Sequence, residues 1–293
     1  VPANAADNFR SHLVDALLVL LESTIAPDEA ILLALLLFFL PVFFFAYWAV
    51  KRGAQFSLRP IEAFGALKGL LAHAAEAGQP VHLSLGTAGI GDQATADTTA
   101  GLTVLEYLAD RAAVSASPPI VTIANPTALP VAQDLLRRAY RRHGYPKEYD
   151  AKRARFVALD PLLGSVPSPN PAIYASNQDD AFAYAAGTMQ LLSKHALVAN
   201  VMVGRFGDEF LLLGETGAQR GLNQIGGTSV ARVLPFVYAS VSHPLIGEEI
   251  YASGAYLLAK PAHLSSLIAQ DVMRWAVVGG VLLGVLLKTM GLM

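Results

Sequence analysis

The residues from Gly86 to Ala94, GTAGIGDQA, place Gly89, Gly91 and Ala94 at the spacing G-x-G-x-x-A. Small residues at those positions let a backbone approach a phosphate, and the free N–H groups of a following helix favour the anion. The chemistry of such a loop is binding of a nucleotide or another phosphorylated ligand, with Gly86, Gly89, Gly91, Asp92 and Thr95 as the candidate contacts. Other features pull against it. A dinucleotide fingerprint carries an acidic residue at the end of the second strand, where this chain has Asn125. No lysine follows the glycines, as a P-loop requires, and Asp92 and Asp97 would repel an anion. The competing reading is a tight turn with Asp92 or Thr95 near a helix cap.

Asp92, Asn125, Asp160, Arg205 and Glu209 fall at or near predicted strand ends, where ligands of parallel sheets collect. Carboxylates suit Mg²⁺, but convergence depends on a strand order that the pattern does not specify, and no metal site is assigned. A second Gly-rich stretch runs through Glu215-Thr-Gly217 and Gly221 to Thr228, with Gln224 and Thr228 as polar members. Glu248 and Glu249 lie in apolar sequence, where a carboxylate needs a partner. Arg220 or Arg232 is the expected partner. Glu215, Arg232, Glu248 and Glu249 are read as ion-pair or subunit-contact residues rather than acid–base catalysts.

The seven histidines form no HxxH, HxH or HExxH spacing, and His243, the one in strongly apolar sequence, is expected to be a satisfied core histidine. No G-x-S-x-G elbow occurs, and the chain has no cysteine, so thiolate nucleophiles, disulfides and cysteine-bound metals are excluded. No residue is assigned a catalytic role, and no cofactor is specified. Arg137, Arg138, Arg141, Arg142, Lys147, Lys152, Arg153 and Arg155 make a basic run. It reads as a solvated face or as a contact for anionic lipid headgroups. With a net charge of −2, nucleic acid is not an expected partner.

The elements that must position these groups alternate. Helical patterns cover Ile61 to Ala77, Ala94 to Ala113, Ala128 to His143 and Asp179 to His195. Strand patterns cover Val81 to Leu85, Pro119 to Ala124, Arg155 to Leu159 and Leu197 to Val203, followed by mostly helical sequence to Leu267. Val233 to Gly247 is uncharged but short and holds Pro235 and Pro244, so it is expected to be a buried helix pair. Strands alternating with long helices predict right-handed βαβ units. The fold class is therefore α/β, a Rossmann-like three-layer sandwich with a mostly parallel sheet.

The chain has 293 residues, 54% hydrophobic and only 15% charged, against about 25% charged in an ordinary soluble domain. Ile31 to Val50 is an uncharged run of twenty residues. A helix of that length spans about 30 Å, the thickness of a bilayer core. Acidic residues ahead of it, and no small-x-small cleavage site after it, set it apart from a signal peptide. Asp7, Asp15, Glu22, Asp28 and Glu29 precede the run, and Lys51, Arg52, Arg59 and Lys68 follow it. Basic residues mark the cytoplasmic side. A second apolar segment follows Arg274 and Trp275, with Gly280 and Gly284 in a GxxxG spacing that permits close helix approach. Upstream, Asp7 to Glu22 is drawn as an amphipathic helix with Phe9, Leu13, Leu17, Leu20 and Leu21 on one side.

The stretches FSLRPIEAF, DDAFAYAAGTMQLL, GETGAQRGLNQIGGTSVARVLPFV and LIGEEIYASGAYL resemble a family of uncharacterised prokaryotic membrane proteins, catalogued as a conserved domain of unknown function. The resemblance covers most of residues 55 to 272 and the flanking spans. It implies membrane attachment and a soluble α/β domain, and brings no activity with it. The expected organisation is an extracytoplasmic segment over residues 1–30, a span over 31–50, a cytoplasmic domain over 51–271 and a second span over 272–293. Both termini then lie outside the cell's inner membrane. The expected function is a non-catalytic assembly or scaffold module, partnered by the bilayer, by its own copies as a homo-oligomer, and by other membrane proteins. The alternative is a membrane-tethered nucleotide- or phospho-ligand-binding protein or enzyme using Gly86 to Ala94.

Overall fold

The computed structural model describes residues 27–54, 58–115, 117–157 and 178–290. The expected amphipathic helix at Asp7 to Glu22, and Asp160, lie outside the described residues. Helix α1, Pro27–Lys51, continues through Pro41. Ser57–His263 form one compact unit, and the apolar helix α1 belongs to another.

Within the compact unit, α2 (Glu62–Ala77) ends on Gly78 in the left-handed region, φ 64°. Then come β1 (Val81–Gly86), α3 (Thr95–Ser115), β2 (Ile120–Ile123), α4 (Leu129–Arg142) and β3 (Ala154–Phe156). They are followed by α5 (Gln178–Lys194), β4 (Ala199–Arg205), α6 (Glu209–Gln219) and β5 (Asn223–Thr228). The short helix α7 (Leu234–Ser240), β6 (His243–Ile246), a 3₁₀ turn at Gly247–Ala252 and a π turn at Gly254–Leu258 lead to α8 (Pro261–Thr289). The six strands form one sheet in the order β3-β2-β1-β4-β5-β6. Each neighbouring pair is parallel. This is the doubly wound strand order, whose direction reverses between β1 and β4.

One face of the sheet carries Leu83, Leu85, Val121, Ile123, Val201 and Val203, all fully or almost fully buried. There α3 comes so close that a Cβ on Gly101 would lie 2.4 Å from the Val203 carbonyl oxygen. The other face meets α5, α6 and α7 through a core of Tyr184, Met202, Phe206, Phe210, Leu213, Val233 and Val237. Two expectations are corrected here. The mostly helical sequence after β4 also contains two strands, β5 and β6, that the pattern does not show. The segment Val233 to Gly247 is not a helix pair, but one short helix followed by the edge strand β6. The polar, Gly-rich NQIGGT conceals β5 because Gly226 and Gly227 sit where no side chain fits. A Cβ on Gly226 would lie 2.6 Å from Phe210, and one on Gly227 would lie 2.5 Å from Leu245. Pro244 is tolerated because β6 is an edge strand, where one side of the ladder needs no donors.

Candidate functional site

In doubly wound sheets the ligand crevice lies beyond the C-terminal ends of the strands at the reversal point, here β1 and β4. The loop Gly86 to Ala94 and the start of α3 occupy that place. The sequence pattern puts Gly86, Gly89, Gly91, Asp92 and Thr95 after a strand and at the opening of a helix, and the structure brings them together at the reversal point. Their hydrogen bonds run inward. Asp92 accepts from the N–H of Gly89 at 2.9 Å and of Ala94 at 2.8 Å. Thr95 Oγ1 accepts from the Gly91 N–H at 2.9 Å and donates to the Asp92 carbonyl at 2.6 Å. The Ile90 N–H donates to Thr127 Oγ1 at 2.8 Å, and Thr127 is itself held by Asn125. The groups that would cradle a phosphate are therefore engaged by side chains of the same loop and its neighbour.

The two strands stay stitched at their ends. Thr87 N–H donates to the Arg205 carbonyl at 2.9 Å. Gly86, at φ 76°, faces that same carbonyl oxygen, 2.1 Å from where its Cβ would be. Above this seam lies Asp97, in the first turn of α3 and 2% exposed. Its carboxylate accepts from Ser229 Oγ at 2.8 Å and from the Tyr251 hydroxyl, with the Arg205 guanidinium at 3.6 Å. An acidic group there also complements the helix dipole. Burial and the neighbouring Asp97 carboxylate push the Tyr251 phenol up, so it stays protonated near neutrality and donates rather than acting as a base. The cluster ties together α3, β4, the end of β5 and the turn after β6.

Glu209, 3% exposed, opens α6. It accepts from the Gly207 N–H at 2.7 Å. Burial pushes its carboxyl up, opposed by that hydrogen bond and by Arg232. The expected pairing of Glu249 with Arg220 or Arg232 is corrected: Glu249 pairs with Arg59 and accepts from the Ile246 N–H at 3.0 Å. Arg59 reaches Glu249 because α2 and its leading residues return to the edge carrying β6. Glu248 is exposed on the same turn, and Glu215 accepts from Gln219 on the surface of α6. Gly280 and Gly284 lie along α8 with open space where a Cβ would be.

The core histidine is not His243, which is only partly buried and sits 3.2 Å from Glu62. It is His82, fully buried at the centre of the sheet. Its Nδ1 lies 2.7 Å from Asn200 Oδ1, and its Nε2 lies 3.0 Å from Thr122 Oγ1. Asn200 Nδ2 donates to Gln224 Oε1 at 3.1 Å, which orients its amide and requires Nδ1 of His82 to carry the proton. Beyond Thr122 the row continues to Tyr184, 2.9 Å away, and from there to Ser84 at 2.5 Å. Burial lowers the His82 pKa to about 4, so the ring is neutral. Sequence reasoning passed over this row, although the alternation in VHLSL and the polar members of IVTIA and LVANVMV carry the signal. Polar residues on a strand covered on both faces must find one another.

A family model described as a domain of unknown function, DUF6754, matches residues 24–163 and 169–293. The chain belongs to the DUF6754 family. For this DUF6754 member, no curated protein gives a match and no solved structure does.

Proposed function

We propose that this DUF6754 chain is a membrane-anchored, non-catalytic assembly module whose α/β domains associate on the cytoplasmic side. The observation that carries the reading is the state of the two apolar helices. Leu32–Lys51 and Pro261–Thr289 are long and apolar enough to cross a membrane, and their most apolar windows are only 6% and 0% buried. A core helix of a soluble protein would be covered by its own chain. These instead leave Phe44, Phe45, Val281 and Leu282 between 61% and 72% exposed, which favours lipid as the missing partner. At the basic end of α1 the Arg52 guanidinium lies 3.3 Å from the Trp48 ring, an arrangement suited to the headgroup level.

Self-association is supported by α7 and β6, at one edge of the sheet. Tyr238 is 74% exposed, with Phe236 at 39% and Ile246 at 38%, and exposed apolar and aromatic side chains gathered in one region suit contact with a second copy. The engaged donors of the Gly86 loop and the closed Asp97 cluster also favour a structural role there over turnover. The phospho-ligand alternative requires the loop to surrender its internal bonds.

The test joins topology to mass. A tag after Met293 should be labelled from outside intact cells, and the purified chain should run as a defined homo-oligomer in mild detergent. Tyr238→Glu should shift it toward monomer without unfolding, because that side chain is exposed. Val237 is unsuitable for such a test, being fully buried. A wild-type chain that stays monomeric across detergents and concentrations overturns the assembly reading.

A further inference from the structure

A groove of about 740 Å³ lies between α2 and α3. Because α3 runs back from the reversal point, its last turns, with Val114 and Ser115, lie at the opposite end of the domain from the Gly86 loop. The α2 wall is a helical row at i, i+3 and i+7, Lys68, Leu71 and Ala75; the α3 wall repeats it with Tyr107, Asp110 and Val114, and Arg111 beside them. Such rows ordinarily pack on each other. Here they line an open groove together with Leu257, Leu258, Arg142 and His143, and Val114 is left 65% exposed.

The charges on the rim are unbalanced. Asp110 is spent on Arg142, at 2.8 and 2.9 Å, with His143 at 3.7 Å. Neither Lys68 nor Arg111 meets a carboxylate among the described residues. Arg111 rests over the Tyr107 ring at 5.6 Å. Two cations without a carboxylate partner among the described residues thus line the groove beside Leu71, Ala72, Ala75, Val114, Leu257 and Leu258, in a volume typical of small-molecule sites.

We propose that this groove binds a single-chain anionic lipid of the fatty-acid class. Its acyl chain lies along Leu71, Ala75, Val114 and Leu257, and its carboxylate sits between Lys68 and Arg111. The charge complementarity selects an anion, and the apolar lining residues Leu71, Ala75, Val114 and Leu257 select one with a tail.

The full chain in phosphatidylcholine nanodiscs is exposed to a fatty acid with a photoreactive tail, and the adducts are mapped by mass spectrometry. Adducts are expected on α2 and the second half of α3, about tenfold more abundant than with the alcohol or trimethylammonium analogue of the same tail. Lys68→Glu combined with Arg111→Glu should lower carboxylate labelling about tenfold and favour the cationic analogue. Val114→Asp should lower labelling along the α3 wall. All these side chains are exposed, and an unchanged melting temperature verifies that the variants fold. Labelling confined to α1 and α8, or equal for carboxylate and alcohol, or indifferent to charge reversal, overturns the proposal. So does displacement by an acidic amphipathic peptide but not by unlabelled fatty acid, which would assign the groove to a protein partner.

Discussion

At the scale of single residues, His82 couples folding to pH. Its pKa falls from 6.5 to about 4 on folding, chiefly because burial penalises the charged ring, with the Asn200 hydrogen bond opposing. Between those values the unfolded chain binds more protons than the folded one, so stability rises with pH. The contribution is complete above about 6.5 and is lost as the pH falls toward 4, amounting to about 3 kcal/mol. His82→Gln has no ring to protonate. The stability difference between wild type and this variant, from urea unfolding at stepped pH, should therefore shrink on acidification through that window. A difference that stays constant with pH removes His82 as a cause. Tyr184 works by the opposite logic: burial raises its phenol pKa, so it remains a donor to the row at every physiological pH.

At the scale of elements, the same residue type has opposite value in two helices. Gly69 on α2 has nothing within 4 Å of where a Cβ would stand, while Gly101 on α3 has the Val203 carbonyl at 2.4 Å and Leu85 at 2.8 Å. Gly69→Ala should stabilise by about 0.5–1 kcal/mol through lower backbone entropy in the unfolded chain. Gly101→Ala should destabilise by about 1–3 kcal/mol, because α3 must move off the sheet. Thermal unfolding of both variants measures this, and a stabilised Gly101→Ala would falsify the close approach. These cases also explain what could be read in advance. The β1 to β4 strands and the helices between them announce themselves by apolar runs and helical spacing, since their cores are built from ordinary side chains. The β5 strand does not, because Gly226 and Gly227 are there to leave room for neighbours that only the fold supplies. The Gly86 loop was legible as a local pattern. The Asp97 cluster was not, because its Tyr251 hydroxyl comes from a residue 154 positions away, past strands that the pattern did not reveal.

At the scale of the whole molecule, the sheet order and the order of synthesis disagree. The central strand β1 is made first, β2 and β3 are added on one side, and β4 closes the other side only after α5 has crossed back. At ordinary translation rates the interval between Gly86 and Arg205 lasts on the order of ten seconds. Chains arrested on the ribosome after Phe156 has emerged should therefore remain cleavable by protease around β1, with protection arriving only when β4 is out. Protection at the earlier arrest point would mean that half the sheet is stable alone. During that interval β1 is an edge, and an edge of alternating apolar residues invites strange partners. The row completed by Asn200 leaves His82 and Ser84 as polar residues on one face of that strand until β4 is made, and polar residues on a waiting edge disfavour such partners.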